Sequence, residues 1–271
     1  MENAISEAIH TPQRDGQPLR YVAFGATIRS LLTFAAMACL AFAVSAHGQV
    51  ARTPVTFDTT DGPVKITPIF HASTLIQANG KAIILDPYSM GNFSGIPLAD
   101  LILISHTHAD HMDPGEIIAM SRYSTEIWAP AVVAKTVTTA KIIANGEVKK
   151  WDHWTIEAVP AYNIKNGDRH KEGEDNGYIL TYGGKRFYFS ADTEGTPEMR
   201  ALKNIDVAFI CMNGPTMTAE EAADAVRAFH PKIAIPYHFR GTDLSVFQKG
   251  LQGSGVEVRI LDWYPKTNLP S

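Results

Sequence analysis

An α/β domain is the fold class the sequence predicts, on three observations. Short apolar runs bounded by turn residues alternate with segments that carry their own helix caps, from residue 64 to residue 261. One run, residues 101–104 (Leu-Ile-Leu-Ile), is apolar at every position, as in a strand covered on both faces. Hydrophobic residues make up 45% and charged residues 19% of the 271, enough to bury a core and too apolar for a disordered or fibrous chain. The net charge of −4 gives no overall basic field to gather nucleic acid or anionic lipid. Two cysteines, Cys39 and Cys211, exclude a disulfide framework and a cysteine-built zinc site.

In chain order, residues 1–30 are polar, with Arg14, Arg20 and Arg29 as their basic residues, and residues 31–46 are apolar, ending Val44-Ser45-Ala46. That length suits a signal-peptide core, and the small residues suit cleavage after Ala46. The long polar lead points to a start codon downstream of Met1; an uncleaved anchor helix is the alternative. Cleavage would leave the net charge at −4 and Cys211 as the sole thiol. Residues 1–46 are thus expected to be an export signal, 47–62 a tail and 63–271 the catalytic domain.

Strands are expected at 64–70, 75–78 and 81–86, with Asn79-Gly80 as a hairpin turn, and at 101–104. Asp113-Pro114 pairs a cap with proline at the first helical position, starting a helix that runs to about residue 121. A strand at 127–129 and a helix over 131–144, closed by Asn145-Gly146, follow. Strands at 154–159, 178–181 and 186–190, a helix at 196–203 and a strand at 207–212 come next. Thr218 and Glu221 form a capping box for a helix over 218–229. A strand at 233–236, a helix at 244–251 and a strand at 256–261 complete the pattern, which contains no tight repeat and layers sheets between helices.

The chemistry lies just past the all-apolar strand. His106-Thr107-His108-Ala109-Asp110-His111 places four metal-competent side chains within six residues. Imidazole and carboxylate suit zinc, and also iron or manganese. In extended chain His106 and His108 point the same way, and a turn then carries Asp110 and His111 to a second point. A solvated polar loop is too bland a reading for such density. Asp113 is explained by its cap. Three later residues are candidates to close the site: His170 in a polar loop, with His153 as fallback, and Asp192 and His238 at strand ends, where open α/β sheets build their sites. His230, beside Pro231 at a helix end, is read as complementing the helix dipole.

With these pieces in order, the chain resembles the metallo-β-lactamase-fold hydrolases, in the branch with lactonase-like and phosphodiesterase-like enzymes. The matching segments are His71-Ala72-Ser73, Asp86-Pro87, the His106–His111 loop, Pro160-Ala161-Tyr162-Asn163, Ala191-Asp192-Thr193 and Ile235-Pro236-Tyr237-His238. The resemblance implies a four-layer αββα sandwich with a binuclear site in the cleft between the sheets. By position, His106, His108 and His170 would hold one metal, Asp110, His111 and His238 the other, and Asp192 would bridge. Two departures stand out: Ala191 replaces a common glycine, and Asn163 stands where some relatives have histidine. The resemblance gives Asp86 and Thr193 supporting roles behind the ligands. It sets His71 near the cleft, where contact with substrate, support of the ligands and an ordinary core role all remain open.

The implied function is an exported, periplasmic or secreted hydrolase with two divalent ions, zinc foremost. A metal-bridging hydroxide would attack an ester, lactone, amide or phosphodiester bond of a small molecule, with Asp110 orienting it or taking its proton. A nucleic-acid phosphodiesterase, disfavoured by the acidic chain, a redox di-iron protein and a non-catalytic metal-binding module are the alternatives. Loops at 88–97, 163–176 and 213–217 are expected to rim the cleft. No nucleic-acid partner and no stable membrane insertion after cleavage are expected.

Overall fold

Side chains alternate across a strand, so a strand apolar at every position must bury both faces, and here the central strands do. The computed structural model describes residues 52–265. The expected signal segment and Cys39 therefore lie outside the described residues.

Fourteen strands and five short helices follow one another along the described residues. The first sheet holds β1 (Val55–Phe57), β2 (Val64–Phe70), β3 (Ser73–Ala78), β4 (Lys81–Leu85), β5 (Leu101–Leu103), β6 (Glu126–Ala129) and β7 (Lys141–Ile142), paired in chain order. The second holds β8 (Val148–Trp151), β9 (Trp154–Ala161), β10 (Asp175–Tyr182), β11 (Lys185–Phe189), β12 (Val207–Cys211), β13 (Ile233–Tyr237) and β14 (Glu257–Val258), again in chain order. In each sheet the first four strands are antiparallel and the last four parallel. The two halves thus share one pairing plan although the sequence shows no repeat.

Three apolar clusters define the layers. Ile83, Leu85, Leu101 and Leu103 of the first sheet meet Phe187, Phe189, Val207 and Phe209 of the second in the central core. The alternate residues Ile84, Ile102 and Ile104 face outward with Ile117 of helix α1 (Pro114–Ala119) and Val133 of helix α2 (Ala131–Ala134). On the far side Ala208, Ile210 and Met212 pack against Met199 of α3 (Pro197–Ala201), Ala222 and Val226 of α4 (Ala219–Phe229) and Phe247 of α5 (Leu244–Gly250). The order is helix, sheet, sheet, helix: the expected αββα sandwich.

Local signals acted as read at several points. Asn79 and Gly80 take φ of 48° and 72°, the left-handed pair a tight hairpin needs. Asp113 caps α1 by accepting from the Gly115 and Glu116 amides, and the Thr218–Glu221 capping box starts α4. Elsewhere the structure differs. The helix expected over 131–144 stops after Ala134, and Lys141–Ile142 is strand. That stretch is crowded with Val132, Val133, Thr136, Val137, Thr138 and Thr139, whose branched side chains lose rotamer freedom in a helix. Ile143 then turns fully into the central core. The tail expected over 47–62 contributes β1, hydrogen-bonded to β2. The last expected strand shrinks to β14, and β10 begins at Asp175, three residues earlier than expected.

Candidate metal centre

Every loop that leaves a strand toward one end of the cleft carries polar residues, and four of them begin in a left-handed backbone. His71 (φ 59°) follows β2, Asp86 (φ 45°) follows β4, Ala191 (φ 56°) lies just past β11, and His238 (φ 51°) follows β13. Such conformations cost non-glycine residues about 1 kcal/mol or more each and persist where surroundings enforce them. The enforcement is visible: the His238 amide donates to the His71 carbonyl across the sheets (3.2 Å), the Asp86 amide to the Leu103 carbonyl (2.9 Å), and the Ala191 amide to the Tyr237 hydroxyl (2.8 Å). Ala191 thus adopts the backbone that glycine would take more cheaply. Gly177 lets β10 approach β11 closely there, since an added Cβ would lie 2.9 Å from the Phe189 and Ser190 carbonyl oxygens.

The structure brings all seven expected ligands together. Ligand atoms of His106, His108, His170 and Asp192 lie within 4.8 Å of one another, as do those of His111, Asp192 and His238. Asp192 belongs to both sets. A third set joins His238 to His71 and Asp110. Asp110 was expected with His111 and His238; its Oδ2 lies 3.6 Å from His238 Nε2 and 3.0 Å from His71 Nε2, in a set that does not include His111.

Each buried imidazole is anchored at Nδ1. His111 donates to Asp86 Oδ2 (2.8 Å) and His170 to Asp175 Oδ2 (2.8 Å), while His106 Nδ1 lies 2.9 Å from Ser105 Oγ. Asp86 also accepts from the Ser105 amide and hydroxyl, both at 2.7 Å, so it orients the histidine loop as expected. His238 Nδ1 lies 2.6 Å from the Asn213 side-chain amide. The same amide nitrogen donates to Asp192 Oδ2 (3.4 Å), while Asn213 Oδ1 accepts from the Thr216 hydroxyl (3.0 Å). The Nε2 atoms of His111, His170 and His238 are buried and have no hydrogen-bond partner, and all three face the Asp192 carboxylate at 3.5–3.7 Å. Buried polar atoms without partners are costly, and imidazoles converging on a carboxylate, two of them backed by carboxylates of their own, suit a divalent ion. The donor set therefore fits metal.

Without metal the electrostatics are extreme. Burial disfavours the charged form of Asp192, but His238, His111, His106 and His170 hold its pKa well below the usual carboxylate range. Burial also opposes protonation of His111, yet Asp192 and Asp86 outweigh it and lift the imidazole to about 9. Burial pushes His106 far down and His71 to about 4. Burial disfavours ionised Asp110 too, but the nearby His238 and the hydrogen bond with His71 keep it far below the carboxylate range.

His71 is therefore neutral near pH 7. Asp110 (3.0 Å) and Arg240 Nε (3.2 Å) both approach its Nε2. A lone pair there would repel the nearer carboxylate, so Nε2–H points at Asp110. Nδ1 then accepts from the Tyr264 hydroxyl (2.7 Å), whose oxygen accepts from the Arg240 amide (3.2 Å). Thr193 differs from expectation: its hydroxyl meets the Tyr162 amide and carbonyl, each at 3.0 Å, and touches none of the expected ligands. His153 is exposed in the β8–β9 turn, and exposed His230 bonds the Ser254 carbonyl.

Sequence reasoning missed Ser105, Asp175, Asn213, Arg240 and Tyr264. Asp175 would have emerged had β10 been started three residues sooner, and Asn213 leaves β12 as His106 leaves β5. Tyr264 arrives from beyond β14, and no local pattern marks it.

A profile of the Beta-lactamase superfamily domain matches residues 65–238. A metal-dependent hydrolase of the UPF0173 group from Pyrococcus abyssi is 30% identical over 73% of this chain and 96% of its own, and one from Carboxydothermus hydrogenoformans is 27% identical over 73% and 97%. Among solved structures, a chain from Parabacteroides distasonis proposed to be a metal-dependent hydrolase superposes with a TM-score of 0.76 at 41% identity, covering 79% of this chain and all of its own. The metallo hydrolase Igni18 from Ignicoccus hospitalis shares the fold, with a TM-score of 0.61 at 23% identity over 73% of this chain and 94% of its own.

Proposed function

Since the chain belongs to the metal-dependent hydrolases of the metallo-β-lactamase superfamily, we propose that it works with two divalent ions on a small molecule carrying an ester, lactone, amide or phosphodiester bond. The observation that carries this reading is the convergence of three partnerless buried Nε2 atoms, from His111, His170 and His238, on Asp192. His106, His108 and His170 would hold one ion, His111 and His238 the other, and Asp192 both. Zinc suits the imidazole-rich set best, with manganese and iron as alternatives. When bound, such ions supply an acidified water and a Lewis acid for a carbonyl or phosphoryl oxygen.

The protein's own groups do the rest. Asp110, ionised across the working pH range and a quarter exposed, is placed to ligate the second ion or to orient water at the cleft mouth. His71 fixes the Asp110 carboxylate, and Tyr264 fixes the His71 tautomer. The Arg240 guanidinium, 3.5 Å from Asp110 Oδ2, can turn to an oxygen of the substrate that gains charge. The apolar run and small-residue site before His47 support export to the periplasm or beyond.

Metal analysis with a panel of ester, lactone, amide and phosphodiester substrates tests the reading. We expect two equivalents of metal per chain, hydrolysis that ceases on chelation and returns with metal, and loss of bound metal in the doubly substituted His106→Ala/His108→Ala protein with the fold retained. Hydrolysis that continues after complete metal removal would overturn it.

A further inference from the structure

Beside the Asp110–His71–His238 cluster lies a cavity of about 700 Å³ walled by Phe70, Tyr88, Met90, Phe239 and Tyr264, with Arg240 as its one charged side chain. The rings form a continuous wall: the Tyr264 ring meets Phe239 at 5.0 Å and Phe70 at 5.4 Å, and Phe70 meets Tyr88 at 6.2 Å. Its size suits a small organic ligand.

Two wall residues are shared with the candidate centre. Tyr264 turns its ring to the cavity and its hydroxyl to His71 Nδ1 (2.7 Å). Arg240 reaches His71 Nε2 and Asp110 Oδ2, and its side chain remains 58% exposed. Phe70 directly precedes His71, whose ring centroid lies 3.5 Å from that of His238. A molecule whose reacting group sits at the cluster can therefore lay its neighbouring atoms along the aromatic wall. Met90, 43% exposed, stands at the mouth.

Resting on the hydrolase reading above, we propose that this cavity selects the substrate: a carboxylic ester or lactone whose acyl or ring portion is apolar, with an oxygen of its carbonyl, or of the product carboxylate, set against Arg240. Apart from Met90 and Arg240 the wall is aromatic, and it offers mainly apolar contact area. Aromatic and thioether groups contribute through contact area, so selectivity grows with the apolar length that enters.

The test is titration of the metal-loaded full-length protein with acetate and with octanoate, followed by calorimetry. Each buried methylene contributes a factor of about four, so burial of only two of the six extra methylenes predicts octanoate to bind about fifteenfold tighter. Met90→Asp, at an exposed position, should erase that preference without lowering the melting temperature. Phe239→Ala is the independent second variant and should reduce it. Equal binding of the two acids, or a preference untouched by both variants, would overturn the proposal. The same protein is then assayed on 4-nitrophenyl acetate and octanoate. Hydrolysis without chain-length preference in kcat/KM counts against the cavity alone. Octanoate preference in binding without hydrolysis of any ester counts against the hydrolase reading and leaves the cavity assignment standing.

Discussion

Replacing Asp86 by asparagine should weaken metal binding by about 10–100-fold, although residue 86 would touch no ion. The substitution is close to isosteric, and asparagine tolerates the left-handed backbone at this position (φ 45°) as aspartate does. In the native protein Oδ1 accepts from the Ser105 amide, and Oδ2 from the Ser105 hydroxyl and His111 Nδ1–H. With the new amide nitrogen at the Oδ2 position, two donors face each other unless the His111 proton moves to Nε2, where it would occupy the lone pair a metal needs. With the amide turned over, the nitrogen opposes the Ser105 amide. Either orientation forfeits one bond to a fully buried group, costing about 1–3 kcal/mol, the same range as a 10–100-fold loss of affinity. The loss should also vary with pH. Below about 9 the native His111 carries a proton that metal must displace, and Asp86 is one of the charges that hold it there. Removing Asp86 relieves that competition, so the deficit should be smallest in acid and largest in alkali. Competitive chelator titrations across pH, with circular dichroism to monitor the fold, read both effects. Affinity within threefold of native at every pH would refute the assignment of His111 as a ligand.

Two further outcomes are expected. In the metal-free protein His71 and His111 pull stability in opposite directions around their ordinary value of 6.5. Buried neutral His71 lets the unfolded chain bind the extra proton, so stability falls as pH drops from 6.5 through about 4; raised His111 contributes fully below 6.5 and is lost as pH climbs through about 9. At up to about 3 kcal/mol each, they place the maximum of melting temperature against pH near 6.5 after chelation, and a monotonic curve would contradict it. Thr193→Val should strand the buried Tyr162 amide at a cost of about 1–3 kcal/mol, read as a lower melting temperature, with metal content unchanged because the hydroxyl bonds backbone groups of Tyr162 and Glu194 and none of the candidate ligands.

Much of the architecture was legible because burial on both faces writes itself as unbroken apolar sequence: residues 101–104 and 207–212 marked β5 and β12. Caps at Asp113 and Thr218 fixed one helix start to the residue and the other to within one, because each is a local hydrogen bond. The stretch after Ala134 misled because hydrophobic residues spaced for a helix were mostly β-branched, and the partner strand that settles the matter lies far away in sequence. The same distinction divides the site. The histidine loop is dense and local, so it announced itself. Asn213, Arg240 and Tyr264 matter only through contacts with residues 25, 169 and 193 positions away. Thr193 shows the reverse error: adjacency to Asp192 suggested a role that its hydroxyl spends elsewhere.

The mirrored pairing plan has a mechanical outcome. One seven-stranded half supplies His71, Asp86 and the loop from His106 to His111; the other supplies His170, Asp192 and His238. Each candidate donor set draws on both halves, so under the proposed ligand assignment bound metal would act as a rivet through both plates, and its binding energy would add to the work needed to pry the plates apart.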